Sequence, residues 1–167
     1  MMEKVLPNRK SIRIADYDYA ASGAYFITVC TANREKLFWN CVGADIIRPE
    51  NVSLTAAGKI AEQGILQISE HYETAVVDKY CVMPDHIHLI LRIGSGHSGR
   101  MISAPTVSTV IGSMKRWVSR QIGRPIWQKS FHDHVIRNQR DYNEIWEYVD
   151  QNPLKWAMET QREKNDS

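Results

Sequence analysis

Tyr80-Cys81-Val82-Met83-Pro84-Asp85-His86-Ile87-His88-Leu89-Ile90-Leu91-Arg92 is the stretch from which the fold is read. Residues 75–82, rich in β-branched and aromatic side chains, stop at a Pro-Asp pair, and a second such run, 86–93, starts at once. Two strands joined by a tight turn fit this pattern. His86 and His88 open the second strand. Side chains alternate across a strand, so both imidazoles point the same way while Ile87 takes the opposite face. Two neutral imidazoles on one rigid element suit a shared divalent ion. A His-x-His-x-His nucleotide-binding strand is excluded, because position 90 is Ile.

Outward from this pair, residues 24–31 form an almost unbroken apolar run of the kind that makes a central strand buried on both faces. Residues 37–42 and 44–48 flank Gly43 and predict a small hairpin; Ser53 or Thr55 then caps a helix running to about Tyr72, with Ile60, Ile65, Ile68 and Tyr72 as its apolar stripe. Residues 94–99 read as a flexible loop that leaves His97 in solvent. Thr106 begins a second helix in which Val107, Val110, Ile111, Met114, Trp117 and Val118 recur at threes and fours, and Gly123-Arg124-Pro125 ends it. A strand over 132–137 and a third helix from Arg140 or Asp141 to Pro153 complete the order. Strands and helices in this sequence predict an α+β fold, one antiparallel sheet with helices packed on one face.

The chain has 167 residues and is 43% hydrophobic, enough for one domain with a core. We expect a basic and aromatic amino-terminal arm over 1–22, a single catalytic domain over 23–157 and a frayed tail over 158–167. No apolar run has membrane-spanning length and no charged-then-apolar leader opens the chain, so the expectation is a cytoplasmic protein. Cys30, Cys41 and Cys81 are odd in number and widely spaced, which fits reduced core thiols rather than disulfides or a zinc site.

Net charge is only +2, but residues 91–140 hold nine Lys or Arg against a single acid, Asp133. Arg92, Arg100, Lys115, Arg116, Arg120, Arg124, Lys129, Arg137 and Arg140 are the footprint expected of a polyphosphate partner. In the amino-terminal arm Arg9, Lys10 and Arg13 precede Tyr17 and Tyr19, an interleaving suited to backbone phosphates and stacked bases, or equally to a tyrosine pair on the core.

The third helix supplies what two imidazoles lack. Tyr148 and Asn152 lie four apart and so on one face, with Glu144 one turn earlier. Tyr148 either presents its phenolic oxygen or packs on the core with Ile145, Trp146 and Val149. His132 and His134 form a rival His-x-His whose central residue is Asp133, and one of them, His134, is a candidate to support the site from behind.

Residues 23–31, 82–88, 127–138 and 148–153 together resemble the single-tyrosine HUH transposases, and most closely the REP-associated tyrosine transposases, over about Arg9 to Trp156. The resemblance implies a ferredoxin-like, RRM-like antiparallel sheet and a homodimer. It implies His86 and His88 as metal ligands, Tyr148 as nucleophile and Asn152 as third ligand, where relatives often carry Gln. It implies Mg²⁺ or Mn²⁺ as the metal and single-stranded or hairpin DNA as substrate. The chemistry would be nicking and joining through a 5′-phosphotyrosine link. Two other readings stay open: a domesticated, non-cleaving binder of repeat hairpins, and a metal phosphodiesterase that uses water.

Overall fold

A computed structural model describes residues 23–40, 53–94 and 104–165, with side chains as far as Glu159. The amino-terminal arm with Arg9, Lys10, Arg13, Tyr17 and Tyr19, the Gly43 turn with residues 44–48, Cys41, and the loop with His97 and Arg100 lie outside the described residues.

Strand β1 (Gly23–Cys30) is followed by the two-residue strands β2 (Trp39–Asn40) and β3 (Ser53–Leu54), helix α1 (Ala56–His71), strands β4 (Ala75–Val82) and β5 (His86–Ile93), helix α2 (Val107–Ile122), strand β6 (His132–Ile136) and helix α3 (Gln139–Asn165). The main sheet has the order β4-β5-β1-β6 with every neighbouring pair antiparallel. Taken with α1 and α2, this is the β-α-β-β-α-β arrangement of the ferredoxin-like fold, so the α+β reading of the sequence holds.

The two central strands explain the layers. Tyr25, Ile27 and Val29 of β1 and Ile87, Leu89, Leu91 and Ile93 of β5 are all buried and join Ile65, Ile68, Val110, Ile111 and Val118 in one core. These odd-numbered positions share one sheet face, covered by α1 and α2. At their contact a Cβ on Gly64 would lie 2.5 Å from Val118 Cγ2, so the glycine is what lets the two backbones approach. The even-numbered positions turn to the opposite face, where α3 lies. The expected helical layer is therefore α1 and α2, and α3 is added on the other side, where its Tyr148 ring meets Phe26 and His88.

Local signals set the helix ends. Thr55, not Ser53, caps α1, its hydroxyl accepting from the Gly58 amide at 3.0 Å; Ser53 belongs to β3, which pairs with Trp39–Asn40. Thr106 caps α2 in the same way through Thr109 N at 3.1 Å. Gly123, at φ 90°, ends α2 in the left-handed conformation that glycine adopts without strain.

Pro153 does not end the third helix, which continues to Asn165. A proline inside a helix lacks an amide hydrogen and crowds the preceding turn. Here packing outweighs that cost: beyond it Trp156 meets Trp39 edge-on with centroids 5.1 Å apart, and Ala157 is fully buried. Among the described residues no helix is long and apolar enough to cross a membrane.

Candidate metal and tyrosine site

The site is built on the even-numbered face of β1 and β5. The register pairs Thr28 with His88 and Cys30 with His86, and β4 adds Cys81 opposite His88. His86 and His88 are 9% and 5% exposed, which is unusual for histidine and calls for partners. Both outer ring nitrogens have them. His86 Nδ1 lies 2.6 Å from Asp85 Oδ1, and His88 Nδ1 lies 2.8 Å from Thr28 Oγ1.

The inner nitrogens face each other, Nε2 to Nε2, at 3.1 Å. With Asp85 accepting from Nδ1–H of His86, the Nε2 of His86 carries a lone pair. His88 then has two options. Thr28 donates to Nδ1 and His88 Nε2–H donates to His86, a pair satisfied on its own; or His88 Nδ1–H donates to Thr28, and two lone pairs converge on one point. The spacing matches two ligands each about 2.1 Å from a common cation at near a right angle. Oxygen acceptors behind both rings are the usual means of fixing a ligating imidazole.

Electrostatics favours the neutral, ligating form. Burial above all, then the nearby His86 and Arg34, pushes the His88 pKa down to about 3. Burial also lowers His86, against the opposing pull of the Asp85 carboxylate. Burial likewise pushes the Cys81 thiol up to about 12, so it stays a thiol. Among the described residues no third His, Cys, Asp or Glu completes a metal-binding group.

On α3 the Tyr148 ring stands edge-on to His88 with centroids 5.6 Å apart, and edge-on to Phe26 at 5.9 Å. Tyr148 is 44% exposed, so the ring that packs at the site is also open to solvent. Asn152 follows one helical turn later and is half-buried.

Other candidates lie elsewhere. His134 is exposed and its Nε2 lies 2.9 Å from Asp141 Oδ2, where it ties β6 to the first turn of α3. His132, not His134, shares the cross-strand row of Thr28 and His88. The basic residues do not form one patch: Arg116 and Arg120 line a groove between α1 and α2, whereas Arg92 belongs to the α3 side. Arg124 pairs with Glu35 and Arg140 with Glu144, and Lys115 donates to the Gln128 carbonyl at 2.7 Å. Lys129 and Arg137 are exposed at the two ends of β6.

Sequence reasoning passed over Thr28, Phe26 and Arg34. Arg34 Nε lies 3.0 Å from Asp85 Oδ2 and its Nη1 donates to Cys30 Sγ at 2.7 Å. The even spacing of Phe26, Thr28 and Cys30 was a usable signal for one shared face. Nothing local in the sequence pairs Arg34 with a residue 51 positions away.

No family model matches the chain. It is 27% identical over 171 residues to an uncharacterized protein of Haemophilus influenzae, covering 91% of this chain and 92% of the relative. It is 24% identical over 138 residues to a REP-associated tyrosine transposase of Escherichia coli K12, covering 82% and 70%. Its fold matches that of a REP-associated tyrosine transposase solved bound to a REP hairpin, with a TM-score of 0.61, 23% identity and coverage of 85% and 74%.

Proposed function

We propose that this chain, a relative of the REP-associated tyrosine transposases, nicks and rejoins single-stranded, hairpin-containing DNA through a 5′-phosphotyrosine intermediate. The observation that carries the reading is the edge contact of a half-exposed Tyr148 with His88, whose Nε2 faces that of His86 at 3.1 Å.

In this reading His86 and His88 hold a divalent ion through their Nε2 atoms, with the Asn152 amide as third protein ligand. Bound there, Mg²⁺ or Mn²⁺ would supply Lewis-acid polarisation and charge neutralisation at the scissile phosphate. The chain's own groups do the rest. Asp85 fixes the rotation and tautomer of His86, and Thr28 fixes the rotation of His88. Phe26 and His88 stand edge-on to the Tyr148 ring and limit its swing. The Tyr148 oxygen attacks phosphorus, the phenol proton leaves as the Oη–P bond forms, the P–O3′ bond breaks, and the departing 3′ oxygen takes up a proton. The phosphotyrosine retains the phosphodiester's energy, so a free 3′ hydroxyl reverses the step and joins strands without ATP. A homodimer belongs to the same proposal, and sedimentation of the purified chain tests it.

The deciding experiment incubates end-labelled hairpin DNA with Mn²⁺ and wild type, Tyr148→Phe or His86→Ala protein. A denaturant-resistant adduct formed by wild type alone supports the proposal. Cleavage that survives Tyr148→Phe but not His86→Ala points to attack by water, and binding without any cleavage points to a binder.

A further inference from the structure

The sheet face that carries the His pair also holds a concavity of about 440 Å³, lined by Ala24, Asp78, Arg92, Gln139, Tyr142 and Trp146. Ala24 and Arg92 are register partners, four residues along β1 and β5 from Thr28 and His88, or about 13 Å at the rise of a strand. Tyr142 and Trp146 stand one turn apart on α3, their rings 5.9 Å apart and inclined by 31°. Lys79 Nζ lies 5.1 Å from the Trp146 ring centre, and Trp146 is still 38% exposed.

The polar side of this concavity is preorganised. β4 shifts register between Val77 and Lys79, and Asp78 sits at the irregularity. It receives Arg92 Nε at 2.6 Å, Arg92 Nη2 at 2.8 Å and the Tyr142 hydroxyl at 2.7 Å. The guanidinium plane is thereby held by a bidentate grip, and the N–H groups that Asp78 does not use remain to be offered. Gln139 adds an amide whose nitrogen donates to Asn143 and whose oxygen is an acceptor.

We propose that this concavity takes one unpaired nucleobase of the DNA strand whose backbone is held at the His pair, a proposal that rests on the function given above. Charge decides against a phosphate: Asp78 cancels Arg92 and Asp150 pairs with Lys79, so the surroundings are close to neutral and lack the uncompensated cation a phosphate wants. Two aromatic side chains beside planar donors and acceptors are instead the chemistry of a base, with stacking for affinity and an edge for choice. The separation of about 13 Å from His88 is within reach of a single strand a few nucleotides long, and the volume falls in the range of about 300–1,000 Å³ for small-ligand pockets. The pocket is therefore a specificity subsite, a few nucleotides along the strand from the phosphodiester to be cut.

The test compares binding of a labelled mixed-sequence single-stranded 16-mer with that of a 16-mer of identical backbone bearing abasic residues throughout. Trp146→Ala is expected to weaken binding of the base-bearing strand about tenfold, the scale of one stacked base, and to leave the abasic strand unchanged; Trp146→Phe recovers most of the loss. Gln139→Ala, at an exposed position, is expected to keep overall affinity within about twofold and to flatten the ranking among dA16, dC16 and dT16. Equal losses on both strands in Trp146→Ala, or no loss on the base-bearing strand in that variant, overturn the proposal. Covalent adduct formation is scored separately: its absence from wild type strikes the cleavage reading without touching the base-dependent difference, and its presence cannot rescue a Trp146 variant that binds both strands like wild type.

Discussion

Arg34 and Asp85 form an ion pair at 3.0 Å on the carboxylate oxygen that His86 leaves free, so a half-exposed arginine fixes the group that orients a buried imidazole. The geometry is held against backbone preference: Asn33 and Arg34 sit at φ 54° and 55°, in the left-handed region that non-glycine residues avoid. The first prediction follows from that chain of contacts. Asp85→Ala should lower Mn²⁺ affinity about ten- to hundredfold, the usual loss when the acceptor behind a ligating histidine is removed. Arg34→Ala should cost less, because Asp85 keeps its contact with His86. Calorimetric titration of each apoprotein with Mn²⁺ checks both, and unchanged affinity in Asp85→Ala would show that the outer nitrogen of His86 does not matter to a metal.

A second prediction concerns pH. Burial alone would raise the Asp78 carboxyl, but the hydrogen bonds from Arg92 and Tyr142 outweigh it and the pKa ends below the ordinary value. A carboxyl depressed on folding adds stability above its unfolded pKa, and that stability is lost as pH falls through the folded value. Tyr142 has the opposite sign: burial first, then its bond to Asp78, pushes the phenol up to about 12. Its contribution is complete below the unfolded pKa of about 10 and is lost as pH rises toward about 12. The network should therefore hold α3 to β4 evenly between about pH 5 and pH 10. Asp78→Asn should cost about 2 kcal/mol inside that window and progressively less below about pH 4, read from urea denaturation across pH.

Pro153 marks where a local rule gave way to tertiary packing, and it yields a third prediction. Trp156 is held on one side by Trp39 and lies 5.7 Å from Lys36 Nζ, so the turns after the proline are anchored to β2. Trp156→Ala should destabilise the protein by about 2 kcal/mol and lower the helical signal by the length beyond Pro153. Pro153→Ala should stabilise it by about 1 to 3 kcal/mol, since the helix already runs through that position and the proline only weakens it. Circular dichroism with thermal melts separates the two, and an unstable Pro153→Ala protein would mean that the proline shapes α3 for the core.

The same contrast explains what was legible. The strand pair around Pro84-Asp85, the Thr106 cap and the Gly123 stop are short-range signals, and the sequence carries them in full. The even-odd alternation along β5 sends Ile87 and Leu89 to one layer and His86 and His88 to the other, so the convergence of the two imidazoles was readable from spacing. The partner of Trp39–Asn40 was not, because strands of two residues carry no pattern of their own. Nor was the face chosen by α3. That choice depends on Tyr142 reaching Asp78, and on Tyr148 reaching Phe26 and His88, contacts between residues 60 or more positions apart.

The last prediction separates two paths for DNA. Arg92, Arg124 and Arg140 are each committed to a carboxylate and Lys115 to backbone carbonyls, so these charges neutralise phosphates only by giving up existing partners. Lys129 and Arg137 are exposed at the ends of β6, the strand beside β1, while Arg116 and Arg120 line the α1–α2 groove on the face turned away from the His pair. For a single strand lying across the catalytic face, log affinity should fall with log salt, and Lys129→Ala and Arg137→Ala should each flatten the slope by about 0.7. Arg116→Ala and Arg120→Ala should leave the slope unaltered for an unstructured single strand. If the α2 pair changes that slope and the β6 pair does not, the strand runs over the helical layer instead, too far from Tyr148 for the proposed attack.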